Sequence, residues 1–204
     1  KRCTFCGHES ETPFEEMGTD EVVRLDLLPA RPDLFDPGGL ARSIKGYLGI
    51  ETGLPATEVE EGDLQVVVDP QLSEESSYRP FIACAQLTVD PLDEEGLRDL
   101  MKLQENLHWA IGRDRKLASI GVYDLSAIEG PITYRAVGPE EIEFVPLGLP
   151  GTSMTPRRIL EEHPKGVAYA GLLASSTAYP LLVDSAGQVL SMPPIINSEE
   201  TKVR

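Results

Sequence analysis

Cysteine is scarce in this chain: three among 204 residues, Cys3, Cys6 and Cys84. An odd, sparse count excludes a disulfide scaffold and fits a reducing compartment. Long apolar runs are missing as well. None approaches the ~20 residues that a bilayer-spanning helix needs, and no signal peptide opens the chain. No membrane partner is therefore expected, and the expected location is cytoplasmic. Positive charge is short: 18 Lys and Arg stand against 34 Asp and Glu, a net charge of −16. A domain built to grip nucleic acid carries a basic footprint, so DNA is not an expected partner. Any contact with RNA must be local or shared with another chain. The same acidity fits a salt-adapted or highly soluble protein, since net charge speaks to solubility and not to fold. No Ser-His-Asp or Cys-His set is legible, nor a phosphate-cradling glycine loop, nor an internal repeat. The chain opens on Lys1 and not on methionine, which predicts a fragment, or a start lost to processing or disorder.

What is present is a 41% hydrophobic, 25% charged sequence, long enough for one full core with a small appendage. Residues 92–124 organise it. The run LDEEGLRDLMKLQENLHWAIG carries Leu97, Leu100, Met101, Leu107 and Ile111 at helical spacing, which gives one apolar face. Asp90-Pro91 reads as its start and Gly112 as a left-handed C-terminal cap. The next run, LASIGVYD, alternates: Ala118, Ile120 and Val122 point one way, Ser119, Gly121 and Tyr123 the other, the period of a half-buried strand. Between the two lie Arg113, Arg115 and Lys116, the densest positive cluster in an acidic chain. A polar helix end (Gln104, Glu105, Asn106, His108), a basic tip and an Asp closing a strand together suggest a site.

The remaining elements follow from similar signals. Strands are expected at residues 22–28, 65–68, 81–89 (apolar enough to be buried on both faces), 132–137, 142–145, 179–183 and 188–192. Helices are expected over LARSIKGYLG after Pro37-Gly38-Gly39, over RRILEEH after the Thr155-Pro156 cap, and at 167–174. Asp184 to Gly187 reads as a hairpin turn, and Pro193-Pro194 as a stiff turn without donors. The sum is an α+β fold, a mixed sheet with packed helices, over residues 64–204. Residues 1–63 form a small incomplete N-terminal domain and an acidic linker. Within that front piece, Cys3-x-x-Cys6-Gly7-His8 looks like half of a zinc site, which Glu9, Glu11 or a partner chain would have to complete. A buried Cys pair in a terminal element is the plainer alternative.

Four runs then become informative together: RPDLFDPGGLARSIKGYLG, LMKLQENLHWAIGRDRKLASIGVYDL, TPRRILEEHPKG and YPLLVDSAGQVLSMPPIINSE. In content and order they resemble the β subunit of phenylalanyl-tRNA synthetase of the archaeal and eukaryotic type, over residues 22–204. The patterns LHxxxGRxRxxxSIGxYDL and VLSMPPIIN carry most of the specificity. The resemblance implies the editing-domain fold of that subunit and hydrolysis of tyrosine wrongly esterified to phenylalanine tRNA, a reaction that needs no cofactor. It also implies an α2β2 assembly in which the α subunit charges phenylalanine tRNA with ATP and Mg2+. A non-catalytic structural or tRNA-binding domain of the same subunit is the alternative.

On this reading the candidate catalytic residues are Asp124, Asn106 and Glu199. Asp124 would bind the substrate ammonium or the tyrosine hydroxyl, unless it merely caps the turn that follows. Asn106 and His108 would hold the substrate or the water, unless they are solvated helix residues. Ser119, Asn197 and Pro194 would line the pocket, with backbone N–H groups of the proline turn offered to an oxyanion. Arg113, Arg115 and Lys116 suit phosphates of the tRNA acceptor end, or else form a solvated turn. Arg157 and Arg158 are weaker, because Glu161 and Glu162 can pair with them along the helix. His163 is expected to end a helix and not to serve as a base.

Overall fold

Pairing among five apolar runs sets the architecture. A computed structural model describes residues 18–19, 21–28, 30–73 and 79–203. Cys3, Cys6 and His8 lie outside the described residues. The strands are β1 (Val66–Val68), β2 (Ile132–Val137), β3 (Tyr179–Val183), β4 (Val189–Met192) and β5 (Ile196–Asn197). They form one sheet in the order β1-β2-β3-β4-β5. β1 runs parallel to β2, and every other pair is antiparallel. A parallel pair needs a long crossover, and the chain between β1 and β2 supplies it with helices α2 (Pro70–Ser73) and α3 (Glu94–Trp109). Helix α1 (Pro37–Tyr47) precedes the sheet, and α4 (Pro156–Glu162) and α5 (Pro164–Tyr169) lie between β2 and β3. This is the expected α+β class with a mixed sheet.

The run YPLLV shows why the sheet is covered on both faces. Successive strand side chains point to opposite sides. Leu181 and Val183 join Val137, Phe144, Met154, Ile159 and Leu173 in one core cluster. Leu182 joins Ile132, Tyr134, Leu190 and Leu72 in the other. The β3–β4 turn is the expected hairpin. Gly187 supplies a φ of 85° there, and the buried Asp184 carboxylate accepts from the Ala186 and Gln188 N–H groups at 3.0 and 2.8 Å. Thr155 caps α4 as its sequence predicts, accepting from Arg158 N–H at 3.3 Å.

His163 closes α4 and caps α5: its Nδ1 accepts from Lys165 N–H at 3.2 Å, and Nε2 faces the Leu147 carbonyl at 3.2 Å. Burial, with Lys165 nearby, lowers its pKa, so the ring is a neutral structural cap. The expected helix at 167–174 is instead α5 followed by a 3-10 turn at Ala170–Leu172.

Several expectations need correction. Residues 22–28, 81–89 and 118–124 are not strands, and of residues 142–145 only Phe144 makes a bridge, to Met154. The reason is pairing. β-branched and aromatic composition fits a pleated surface only where a neighbouring strand completes the ladder; residues 22–28, 81–89 and 118–124 pair with no strand among the described residues, and 142–145 do so only at Phe144. Phe81, Leu87 and Val89 are exposed and not buried. In 118–124 burial does not follow the alternation: Ile120 is exposed and Val122 half-buried, while Tyr123 packs inward against the second core cluster. Helix α3 starts three residues later than expected, with Asp93 accepting from Gly96 N–H at 2.8 Å as its cap.

Candidate functional site

The site begins where α3 ends. Gly112 is not the left-handed cap; Arg113, Asp114 and Arg115 take that conformation, with φ of 50°, 55° and 62°. Each non-glycine residue held there costs about 1–2 kcal/mol, so the surroundings must hold the turn. Gly112 is needed for a different reason: a Cβ on it would stand 2.4 Å from the Ala118 carbonyl oxygen and 2.5 Å from that of His108. The close passage lets Arg115 N–H donate to His108 O at 3.2 Å and Leu117 N–H to Gly112 O at 2.8 Å. The turn thereby sends the Arg115 side chain inward.

Arg115 is buried, at 7% exposure, and its outer nitrogens are engaged within the chain. Its Nη1–H donates to the carbonyls of Pro194 at 3.2 Å and Ile195 at 3.0 Å, and its Nη2–H to Glu105 Oε1 at 2.6 Å. The guanidinium lies over the Tyr169 ring, 4.6 Å from its centroid, a cation–π stack. Tyr169 OH in turn donates to Asp114 Oδ1 at 3.3 Å. Arg113 and Lys116 are exposed and remain suited to phosphate.

The extended segment 118–124 is clamped between α3 and the proline turn. From α3, Gln104 donates to the Ile120 carbonyl, and buried His108 accepts the Ile120 N–H on Nε2 at 2.8 Å. The same Nε2 lies 3.0 Å from the Ile120 carbonyl oxygen, and Nδ1 stands 3.5 Å from Glu105 Oε1. From the other side, Asn197 Nδ2 donates to Val122 O at 3.5 Å, and Tyr123 OH meets Ser191 Oγ at 2.7 Å. Burial pushes the Tyr123 phenol up to about 12, so it stays a neutral hydroxyl. Asp124 is half-buried and caps the 3-10 turn at Leu125–Ala127, accepting from Ser126 N–H at 2.9 Å and Ser126 Oγ at 2.6 Å. Its own N–H donates to Thr201 O at 3.0 Å.

The other candidates are less central. Asn106 Nδ2 donates to Phe35 O at 3.3 Å, which ties the front unit at residues 32–47 to α3. Glu199 Oε2 accepts from Gly148 N–H at 3.1 Å, and its other oxygen pairs with Lys202. Ser119 is half-buried and Pro194 is buried under Arg115. In the proline turn, the Ile195, Ser198 and Glu199 N–H groups already donate to Met192, Leu190 and Val145 carbonyls. The expectation that such amides are open to an oxyanion is corrected at those three positions. Arg157 pairs with Glu140 and not with Glu161, whereas Arg158 and Glu162 pair as their spacing predicts.

Sequence reasoning missed Glu105 as a hub and Tyr169 altogether. The polar run QENLH points at Glu105, but nothing local in the sequence around Tyr169 marks it. Glu105 carries a testable consequence. The His108 ring, then Arg115 and Lys165, hold its carboxyl down at about 2 against the opposing effect of burial. An ordinary carboxyl near 4.5 in the unfolded chain binds its proton first, so stability contributed by Glu105 is complete above that value and is lost as pH falls toward 2. Denaturant unfolding across pH 6 to 2 should show a steeper acid loss for wild type than for Glu105→Gln, with the difference confined to that window.

Among the described residues no group of three or more His, Cys, Asp or Glu side chains is placed to hold a metal, and no helix is long and apolar enough to cross a membrane. No protein-family model matches the chain. Known proteins do. The chain is 45% identical over 184 residues to the phenylalanine–tRNA ligase beta subunit of Methanosphaera stadtmanae, covering 90% of this chain and 32% of that one. It is 43% identical over 206 residues to the same subunit of Methanococcus maripaludis strain C5, covering 99% and 36%. The chain is a homologue of the phenylalanine–tRNA ligase beta subunit. A crystal structure of an N-terminal fragment of the phenylalanyl-tRNA synthetase beta subunit from Pyrococcus horikoshii matches with a TM-score of 0.74 at 42% identity, covering 86% of this chain and 50% of that one. The chain therefore spans about a third of the length of these ligase beta subunits, and its mixed sheet with packed helices is the fold of that fragment.

Proposed function

We propose that this region of the ligase beta subunit hydrolyses tyrosine misattached to phenylalanine tRNA, while the alpha subunit, using ATP and Mg2+, charges the tRNA with phenylalanine. One observation carries the reading. The runs GRDRKLASIGVYD and MPPIIN, some eighty residues apart, meet through Arg115 on the Pro194 and Ile195 carbonyls and Asn197 on the Val122 carbonyl. The two stretches that bear the family's most specific patterns thus build one place.

The physics suits editing. A pocket shaped for phenylalanine rejects an isostere with one added hydroxyl only weakly. A second site that hydrogen-bonds the phenol rejects the analogue lacking it by roughly 10⁴–10⁵, because its own polar groups would stay unpaired. In the hydrolysis, water adds to the ester carbonyl, the bond from acyl carbon to ribose oxygen breaks, and that oxygen takes the proton as tyrosine leaves. No protein nucleophile is needed, and the side-chain set around the turn offers no Ser-His-Asp or Cys-His arrangement. Asp124 is the proposed partner of the substrate ammonium or phenol, Asn106 and Glu199 aid catalysis, and His108, Ser119, Asn197 and Pro194 shape the pocket. Arg113 and Lys116 meet tRNA phosphates.

A non-catalytic scaffold is favoured by one fact: Asn106 and His108 are already engaged with Phe35 and Ile120. Deacylation of Tyr-tRNA(Phe) by the assembled alpha/beta enzyme decides between them. The wild type is expected to hydrolyse the tyrosyl ester and spare the phenylalanyl one, with Asp124→Ala and Asn106→Ala each losing about 10²-fold or more, the scale of a positioned polar group. An inert wild type establishes the scaffold.

A further inference from the structure

We propose that Arg115 is a positioning residue for this hydrolysis, a buried fork that holds the 193–197 turn against the end of α3. The inference rests on the hydrolytic reading above. The bent backbone that delivers this side chain carries three successive left-handed non-glycine residues, an arrangement that persists only where the surroundings over-determine it. The side chain then satisfies four neighbours at once: the carbonyls of Pro194 and Ile195, the Glu105 carboxylate and the face of Tyr169. Its Nε is buried without a hydrogen-bond partner, so the guanidinium is placed for what its two outer nitrogens reach. A planar fork spans such a set, whereas a lysine ammonium is a single point charge on a flexible stem. The grip lies on Pro194 and Ile195, immediately before Asn197 and Glu199. The position of those two side chains relative to the 118–124 segment therefore depends on Arg115, which itself is buried away from solvent.

The test uses the assembled alpha/beta synthetase and Tyr-tRNA(Phe), with Arg115→Ala, Arg115→Lys and amide hydrogen exchange. Expected for Arg115→Ala is a fall in kcat of about 10–100-fold, the scale of a catalytic group misplaced by an ångström, with KM within about twofold of wild type. Added methylguanidinium should restore part of that kcat, and exchange at the Ile195 and Ser198 amides should accelerate. Arg115→Lys, a milder change that keeps the charge, should lose kcat nearly as far.

Two results overturn the proposal. A raised KM with unchanged kcat, a shallower salt dependence and full rescue by lysine would make Arg115 a phosphate contact. Unchanged exchange in the turn would show that the fork does not hold it. A wild-type enzyme that leaves Tyr-tRNA(Phe) intact overturns the hydrolytic reading, while accelerated exchange in Arg115→Ala would still show the grip, so the two failures are distinct.

Discussion

Gly166→Ala is expected to lower the stability of the chain by ~3 kcal/mol, the upper end of the overpacking range or beyond it. A Cβ at Gly166 would stand 1.7 Å from the Ile159 carbonyl oxygen and 2.5 Å from its carbonyl carbon. Those atoms are backbone, so no flexible side chain can yield. Relief requires α5 to move off α4, and α4 carries Ile159, which is fully buried in the larger core cluster. Its partners there include Leu173, Leu181 and Ile195, so the disturbance reaches β3 and the proline turn. Thermal unfolding checks it, at ~2–4 °C per kcal/mol for a chain of this size. Gly171→Ala is the control: nothing lies within 4 Å of its Cβ position, and the substitution should leave stability unchanged or raise it by up to ~1 kcal/mol.

That contact also shows where sequence reading stops. Gly166 sits in HPKGVAY, where a glycine suggests a loose helix start; its actual role is a close approach between two helices that only the folded chain reveals. Gly112 repeats the lesson, since the residue was legible and its purpose was not. What could be read were elements whose signal is local. The Thr155-Pro156 cap, the Asp184 to Gly187 turn and the continuous apolar run YPLLV each carry their own instruction. What could not be read were segments whose state depends on a distant partner. LASIGVYD has the period of a strand, yet its backbone is met by side chains, Gln104 and His108 from one side and Asn197 from the other. Arg115 stands in an apparently exposed basic cluster, and three left-handed residues with no glycine among them turn it inward. The candidate site was therefore legible as a set of segments, and illegible in which side chains support the backbone.

Asp184→Ala should cost a further ~3 kcal/mol or more, and its comparison with Asp124 sharpens the functional test. Both aspartates cap turns through their carboxylates. Asp184 is 5% exposed, and besides the Ala186 and Gln188 N–H groups it accepts from Glu129 N–H at 3.1 Å, which joins the hairpin to the loop before β2. Removing the buried carboxylate ends three N–H contacts that hold the hairpin, at ~1 kcal/mol for each hydrogen bond lost. Asp184→Asn keeps one acceptor oxygen and should recover part of the loss. Urea unfolding checks this as a lower midpoint with unchanged slope. Asp124 caps its 3-10 turn through Ser126, and Asp124→Ala should cost ~1 kcal/mol, the ordinary value of a lost cap. On the proposed hydrolytic reading, a stable Asp124→Ala protein that leaves Tyr-tRNA(Phe) intact has lost chemistry. An Asp184→Ala protein that fails in the same assay has lost the hairpin, and with it the β4–β5 platform from which Asn197 reaches Val122.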